Sequence, residues 1–143
     1  MKHLTFKKKM QNKIYFIDYR NKDIESVTEI LKSNQIQVLV DIRQNPYSVI
    51  RPIFNKDVLE KYFKYVDVGY KFLGKELGAN SFTDYDRHRK TLTYQNGIYY
   101  LECGLEFDYK IALLFDDNNN QSNLGTDFKR RGYEVELLKN LKD

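Results

Sequence analysis

The sequence predicts an α/β fold, a three-layer sandwich in which a mostly parallel five-stranded sheet carries helices on both faces. Three observations predict it. Short apolar runs alternate with amphipathic segments along the chain, which is how β-α-β units read in sequence. The run over 36–42 is nearly continuous in β-branched residues, as a strand covered on both faces requires. A length of 143 residues, 41% hydrophobic and 31% charged, lets one domain bury a core without a disulfide or metal.

The first strand is expected at 14–19. Asn21 or Asp23 then caps a helix in which Ile24, Val27, Ile30 and Leu31 recur at helical spacing and Lys22, Glu25, Glu29 and Lys32 face water, ending near Asn34. Residues 36–42 form the second strand and, as the nearly continuous β-branched run, the best central strand of the sheet. A loop holding Pro46 and Pro52 leads to Asn55, which caps a helix with Val58, Leu59, Tyr62, Phe63 and Val66 as its buried stripe. The third strand is read at 69–73. Residues 74–96, with Gly74, Gly78 and a polar run through Thr83, Asp84, Asp86, Arg87 and His88, read as a long loop with at most one short helix. Over 97–106, Ile98, Leu101 and Leu105 suit a helix whereas Tyr99 and Tyr100 favour a strand, and helix is chosen. A fourth strand at 109–115 is followed by an Asn-dominated polar loop at 116–123, a helix at 124–131 closed by Gly132, and a fifth strand at 133–138.

Net charge is +4, but the first 13 residues hold five Lys and no acid. This divides the chain into a basic N-terminal arm, 1–13, and a single domain, 14–143, with 19 basic and 20 acidic side chains. Within the domain, residues 43–90 hold ten basic and six acidic groups and residues 91–128 hold one and six, so charge is segregated along the chain. The single cysteine, Cys103, excludes an internal disulfide and a cysteine zinc cluster and fits a reducing, cytoplasmic location. The apolar run 14–17 is too short for a signal core or a membrane span, so no membrane partner is expected. No cofactor is implied.

Ligands of open α/β sheets gather beyond the carboxyl ends of the strands. There the sequence collects Asp18, Arg20, Asp41, Arg43, Ser48, Arg51, Lys75, Glu76, Asp116 and Asp117. The planar donor fork of Arg43, with Ser48 and Arg51, suits phosphate or carboxylate; the competing reading is an ion pair from Asp41 or Asp18 to Arg43 that only holds the loop. Asp18, Asp41, Asp116 and Asp117 are alternatively oxygen ligands for Mg²⁺ in a hydrolase, against the commoner role of strand-end carboxylates as caps. Lys7, Lys8, Lys9, Arg87, Arg89 and Lys90, interleaved with Tyr85 and Tyr94, have the composition of a nucleic-acid contact, against a plain solvated loop. His3 and His88 show no catalytic partner at a telling spacing, and Cys103 reads as a small buried hydrophobe.

With the strands placed, the chain resembles the family catalogued as domain of unknown function 488, small α/β proteins. The resemblance rests on Ile14-Tyr15-Phe16-Ile17, on Val38-Leu39-Val40-Asp41-Ile42-Arg43, on Pro46, Ser48, Pro52 and Phe54, on Gly69, Tyr70, Leu77 and Gly78, and on Ala112-Leu113-Leu114 and Arg131-Gly132-Tyr133-Glu134-Val135. It departs from the pattern at Asp18-Tyr19-Arg20, at Val49-Ile50 before Arg51, and at Phe115-Asp116-Asp117, where the family commonly has Cys, Glu and a Cys-His-Arg triplet. The expectation is a non-catalytic binder of a phosphate-bearing or other anionic ligand, nucleic acid included, using Asp18, Arg20, Asp41, Arg43, Ser48 and Arg51. A metal-assisted hydrolase and a protein-interaction subunit with exposed Tyr surfaces are the alternatives.

Overall fold

The computed structural model describes residues 11–79 and 82–140 of the chain. Five strands, β1 (Lys13–Asp18), β2 (Val38–Asp41), β3 (Gly69–Phe72), β4 (Ile111–Phe115) and β5 (Glu134–Leu138), form one sheet in the order β3-β2-β4-β1-β5. Every pairing is parallel: Leu39 lies opposite Ala112, and Tyr15 lies between Ala112 and Glu136. The helices are α1 (Ile24–Ser33), α2 (Lys56–Tyr65), α3 (Gly74–Leu77), α4 (Phe82–His88), α5 (Leu92–Glu106) and α6 (Asn118–Arg130).

Strand alternation splits the core into two layers. On one face Phe16, Val40 and Leu113 meet Leu77, Ile98, Leu101, Leu124 and Phe128 from α3, α5 and α6. On the other, Ile17, Leu39 and Leu114 meet Ile24, Val27, Ile30, Leu31, Leu59 and Phe63 from α1 and α2. Helices therefore cover both faces, as the alternation of apolar runs implied. The chain leaves β2 toward the α1 and α2 face but leaves its neighbours β3 and β4 toward the opposite one. Loops diverging in this way open a crevice at the carboxyl ends of these strands.

Asp23 caps α1 by accepting from the Ser26 N–H, Thr91 caps α5 through the Tyr94 N–H, and Asp117 caps α6 through the Asn120 N–H. Gly132 follows α6 with φ of 95°, a conformation glycine adopts without strain.

Four expectations need correction. The centre of the sheet is β4, buried at every residue, and not β2; the Ala-Leu-Leu interior of β4 disguises it because it lacks β-branched residues. Residues 74–96 are not a long loop but α3, α4 and the start of α5. Gly74 is what admits α3, since a Cβ there would stand 2.0 Å from the Arg43 carbonyl oxygen and 2.4 Å from the Phe72 ring. The Asn run at 118–120 is the first turn of α6 and not a solvated turn: Asn120 is buried and donates to the Ile42 carbonyl, a tertiary contact that outweighs weak helix propensity. Asn55 precedes α2 but does not cap it with its side chain, which accepts instead from the Ser48 N–H.

Candidate functional site

Two strands end on the same device. At β1, Asp18 accepts from the Arg20 backbone N–H and from Nε and Nη2 of its guanidinium at 2.8–2.9 Å. At β2, Asp41 accepts from the same three atoms of Arg43 at 2.7–3.1 Å. The Asp-x-Arg spacing lets the chain turn off the strand while the planar fork closes back on the carboxylate.

Burial separates the two copies. The Asp41 and Arg43 side chains are 0% and 2% exposed, those of Asp18 and Arg20 28% and 40%. Arg43 Nη2 also donates to the Phe54 carbonyl at 2.8 Å, and its guanidinium lies over the Tyr19 ring at 5.0 Å. Tyr70 donates its hydroxyl to Asp41. Burial opposes the charge on Arg43, but the hydrogen bonds and attraction to Asp41 outweigh it and raise its pKa. Burial and the neighbouring Asp41 carboxylate likewise raise that of Tyr70. Arg20 Nη2 reaches Asn118 at 2.8 Å.

Ser48 and Arg51 are also engaged within the protein. Ser48 Oγ accepts from the N–H groups of Ile50 and Arg51, which folds the loop tip. Arg51 donates to the carbonyls of Tyr19 and Lys22 and lies over the Phe54 ring at 4.6 Å. The structure thus brings Arg43 and Arg51 to the two rings of Tyr19 and Phe54, with donors directed into protein carbonyls and carboxylates.

Asp116, at the end of β4, stands in the field of Arg43, Asp41, Arg20 and Asp117, and burial is the main cause of its raised pKa. Among the described residues no group of three or more His, Cys, Asp or Glu is arranged to hold a metal ion. Asp18 and Asp41 each spend both oxygens on a guanidinium.

The open feature of this edge lies beside the buried pair. A cleft of about 490 Å³ at the carboxyl ends of β2 and β3 is lined by Gln44, Lys75, Asp84, Arg87, His88 and Thr91, with Gly74, Gly78 and Ala79 as its floor. Lys75 and Arg87 are exposed, and neither has a carboxylate partner among the described residues. His88 Nε2 lies 2.5 Å from the Glu76 carbonyl oxygen. A carbonyl only accepts, so Nε2 carries a proton and donates it.

His88 therefore belongs to a helix and a cleft, not to a solvated loop, and Cys103 is half-buried, not fully buried. Arg89 and Lys90 pair with Asp86, whereas Arg87 turns to the cleft. Tyr85 and Tyr94 are buried against each other, their rings 5.8 Å apart, which leaves them no free face for a base. His3, Lys7, Lys8 and Lys9 lie outside the described residues. Sequence reasoning placed Lys75 at the carboxyl edge and Arg87 in a separate basic run; what it missed is that α4 returns Arg87 and His88 to that edge.

The family model described as domain of unknown function DUF488 matches residues 23–100, more than half of the chain. The matched span runs from the cap of α1 into α5 and contains Asp41, Arg43, Lys75, Arg87 and His88, while Phe115, Asp116 and Asp117 lie beyond it. Neither a curated protein nor a solved structure matches the chain.

Proposed function

The chain belongs to the DUF488 family, and we propose that it binds a small phosphate-bearing or other anionic ligand in the cleft beyond the carboxyl ends of β2 and β3. The observation that carries this reading is the charge around the cleft: Lys75 and Arg87 face it without carboxylate partners, beside His88 and the amide of Gln44, against the single carboxylate of Asp84. Lysine supplies a point charge and arginine a two-pronged donor, a pairing suited to phosphate oxygens. Thr91 and the His88 ring add polar groups that orient the rest of the ligand.

On this reading the Asp41–Arg43 pair supports the site from behind. Gln44 follows Arg43 directly, and Gly74 packs against the Arg43 carbonyl, so the buried pair holds two residues of the cleft lining. The metal-assisted hydrolase has less support, because Asp18 and Asp41 are already neutralised by guanidinium groups.

Calorimetric titration of the full chain with inorganic pyrophosphate at low salt tests the proposal, with a single-stranded oligonucleotide as a second probe. Lys75→Ala and Arg87→Ala should each weaken pyrophosphate binding about tenfold, the scale of one charge-assisted hydrogen bond. No heat at millimolar pyrophosphate, or binding indifferent to both substitutions, would overturn the reading. Oligonucleotide binding that depends on the same two residues would identify the anion as nucleic-acid phosphate.

A further inference from the structure

Among the described residues the sheet gives β3 a neighbour on one side only. Gly69 and Leu73 donate their N–H groups inward, to the carbonyls of Gln37 and Asp41. Alternation along the strand turns the N–H groups of Tyr70 and Phe72 outward, to the open edge. Sheet edges are usually blunted by charge, by proline or by a covering element. Here the only charge on β3, Lys71, lies over the Tyr100 ring at 5.5 Å.

A groove flanks this edge on each side. Toward α5, one of about 690 Å³ is lined by Tyr99, Tyr100, Cys103, Phe107 and Tyr109, with Tyr99 70% and Phe107 79% exposed. Toward α2, one of about 730 Å³ is lined by Asp57, Glu60, Lys61 and Lys64. The charges of the second groove do not balance. Asp57 accepts from the Tyr47 hydroxyl and Glu60 pairs with Lys56, whereas Lys61 and Lys64 have no carboxylate partner among the described residues.

We propose that the β3 edge docks an extended segment of a partner protein in which aromatic or aliphatic side chains alternate with acidic ones. Added as a sixth strand, the segment bonds to the outward backbone groups of Tyr70 and Phe72. Its apolar side chains enter the aromatic groove, and its carboxylates meet Lys61 and Lys64. The period of two in a strand sends successive side chains to opposite faces, so an apolar groove on one face and a cationic one on the other select alternation. A helix laid on the aromatic groove would leave both the edge and the two lysines unpaired. The inference is independent of the anion cleft, which opens at the ends of the strands and not along β3.

The probe is a fluorescein-labelled synthetic peptide, Glu-Val-Glu-Phe repeated twice, titrated into the full chain at low salt. Binding should protect the Tyr70 and Phe72 amides from hydrogen exchange in nuclear magnetic resonance spectra. N-methylation of alternate peptide amides should weaken it about tenfold through loss of the ladder bonds. Lys61→Glu combined with Lys64→Glu should weaken it about tenfold, and a peptide with Lys in place of Glu should then regain the loss. Both lysines are exposed, so the variant keeps the fold. No binding at millimolar peptide, or affinity unmoved by N-methylation and charge reversal, overturns the proposal. Protection of the same amides without peptide, together with self-association in sedimentation, overturns it in favour of a second copy of the chain.

Discussion

Replacing Arg43 with Met removes the guanidinium but keeps most of the side-chain length. Asp41, 0% exposed, would be left with the Tyr70 hydroxyl and one backbone N–H as its only donors, and the Phe54 carbonyl would lose its partner. Breaking a buried pair by deleting one partner costs roughly 3–5 kcal/mol, because the surviving charge is stranded out of water. Against a total stability of about 5–15 kcal/mol this is a large share. With a urea slope of about 2 kcal/mol per molar, the unfolding midpoint should fall by about 1.5–2.5 M. The compensated variant Asp41→Leu, Arg43→Met, Tyr70→Phe strands no charge and no buried hydroxyl, and should recover most of the loss. A loss under about 1 kcal/mol for Arg43→Met would refute the buried pair as a structural keystone. Loss of pyrophosphate binding at unchanged stability would make Arg43 a ligand contact instead.

Three further substitutions test packing and charge. Gly74→Ala drives a methyl group into the Arg43 carbonyl and the Phe72 ring and should cost about 3 kcal/mol, the upper end for overpacking, in thermal unfolding. Gly125→Ala on α6 meets only ordinary contacts at 3.7–3.9 Å and should gain up to about 1 kcal/mol from helix propensity, which makes it the matched control. Asp116→Asn should stabilise the protein at pH 7: burial raises the folded pKa of Asp116, so its contribution is full below the ordinary value of 3.8 and is lost as pH rises through the raised one. Urea midpoints of variant and parent should therefore converge below pH 3.8, and a variant less stable than its parent at pH 7 would contradict the sign.

Local periodicity made the strands and the longer helices readable, since each buries a face whose spacing is written in consecutive residues. It could not rank the strands. Which of them is central depends on crossovers: the return through α5 seats Ile-Ala-Leu-Leu-Phe between β1 and β2. The Asn-rich start of α6 was misread for the same reason, because its helix is held by a cap and by the contact from Asn120 to the end of β2.

The candidate site shows the limit more sharply. Asp18-Tyr19-Arg20 and Asp41-Ile42-Arg43 have one spacing and one geometry, yet only the second arginine is buried. What buries it is remote in sequence: the Tyr19 ring and the Phe54 carbonyl surround its guanidinium, and the Tyr70 hydroxyl reaches its carboxylate. A strand-end arginine can be located from sequence, but whether its donors remain available depends on such distant partners. The same holds in reverse for Arg87, which sits in an unremarkable basic run until the His88 contact with the Glu76 carbonyl and the packing of Tyr85 on Tyr94 anchor α4 against α3 and α5. The cationic groups of the carboxyl edge are thereby divided. Arg20, Arg43 and Arg51 are consumed in holding the loops, and Lys75 and Arg87, whose charge nothing in the described fold neutralises, are left for a ligand to meet.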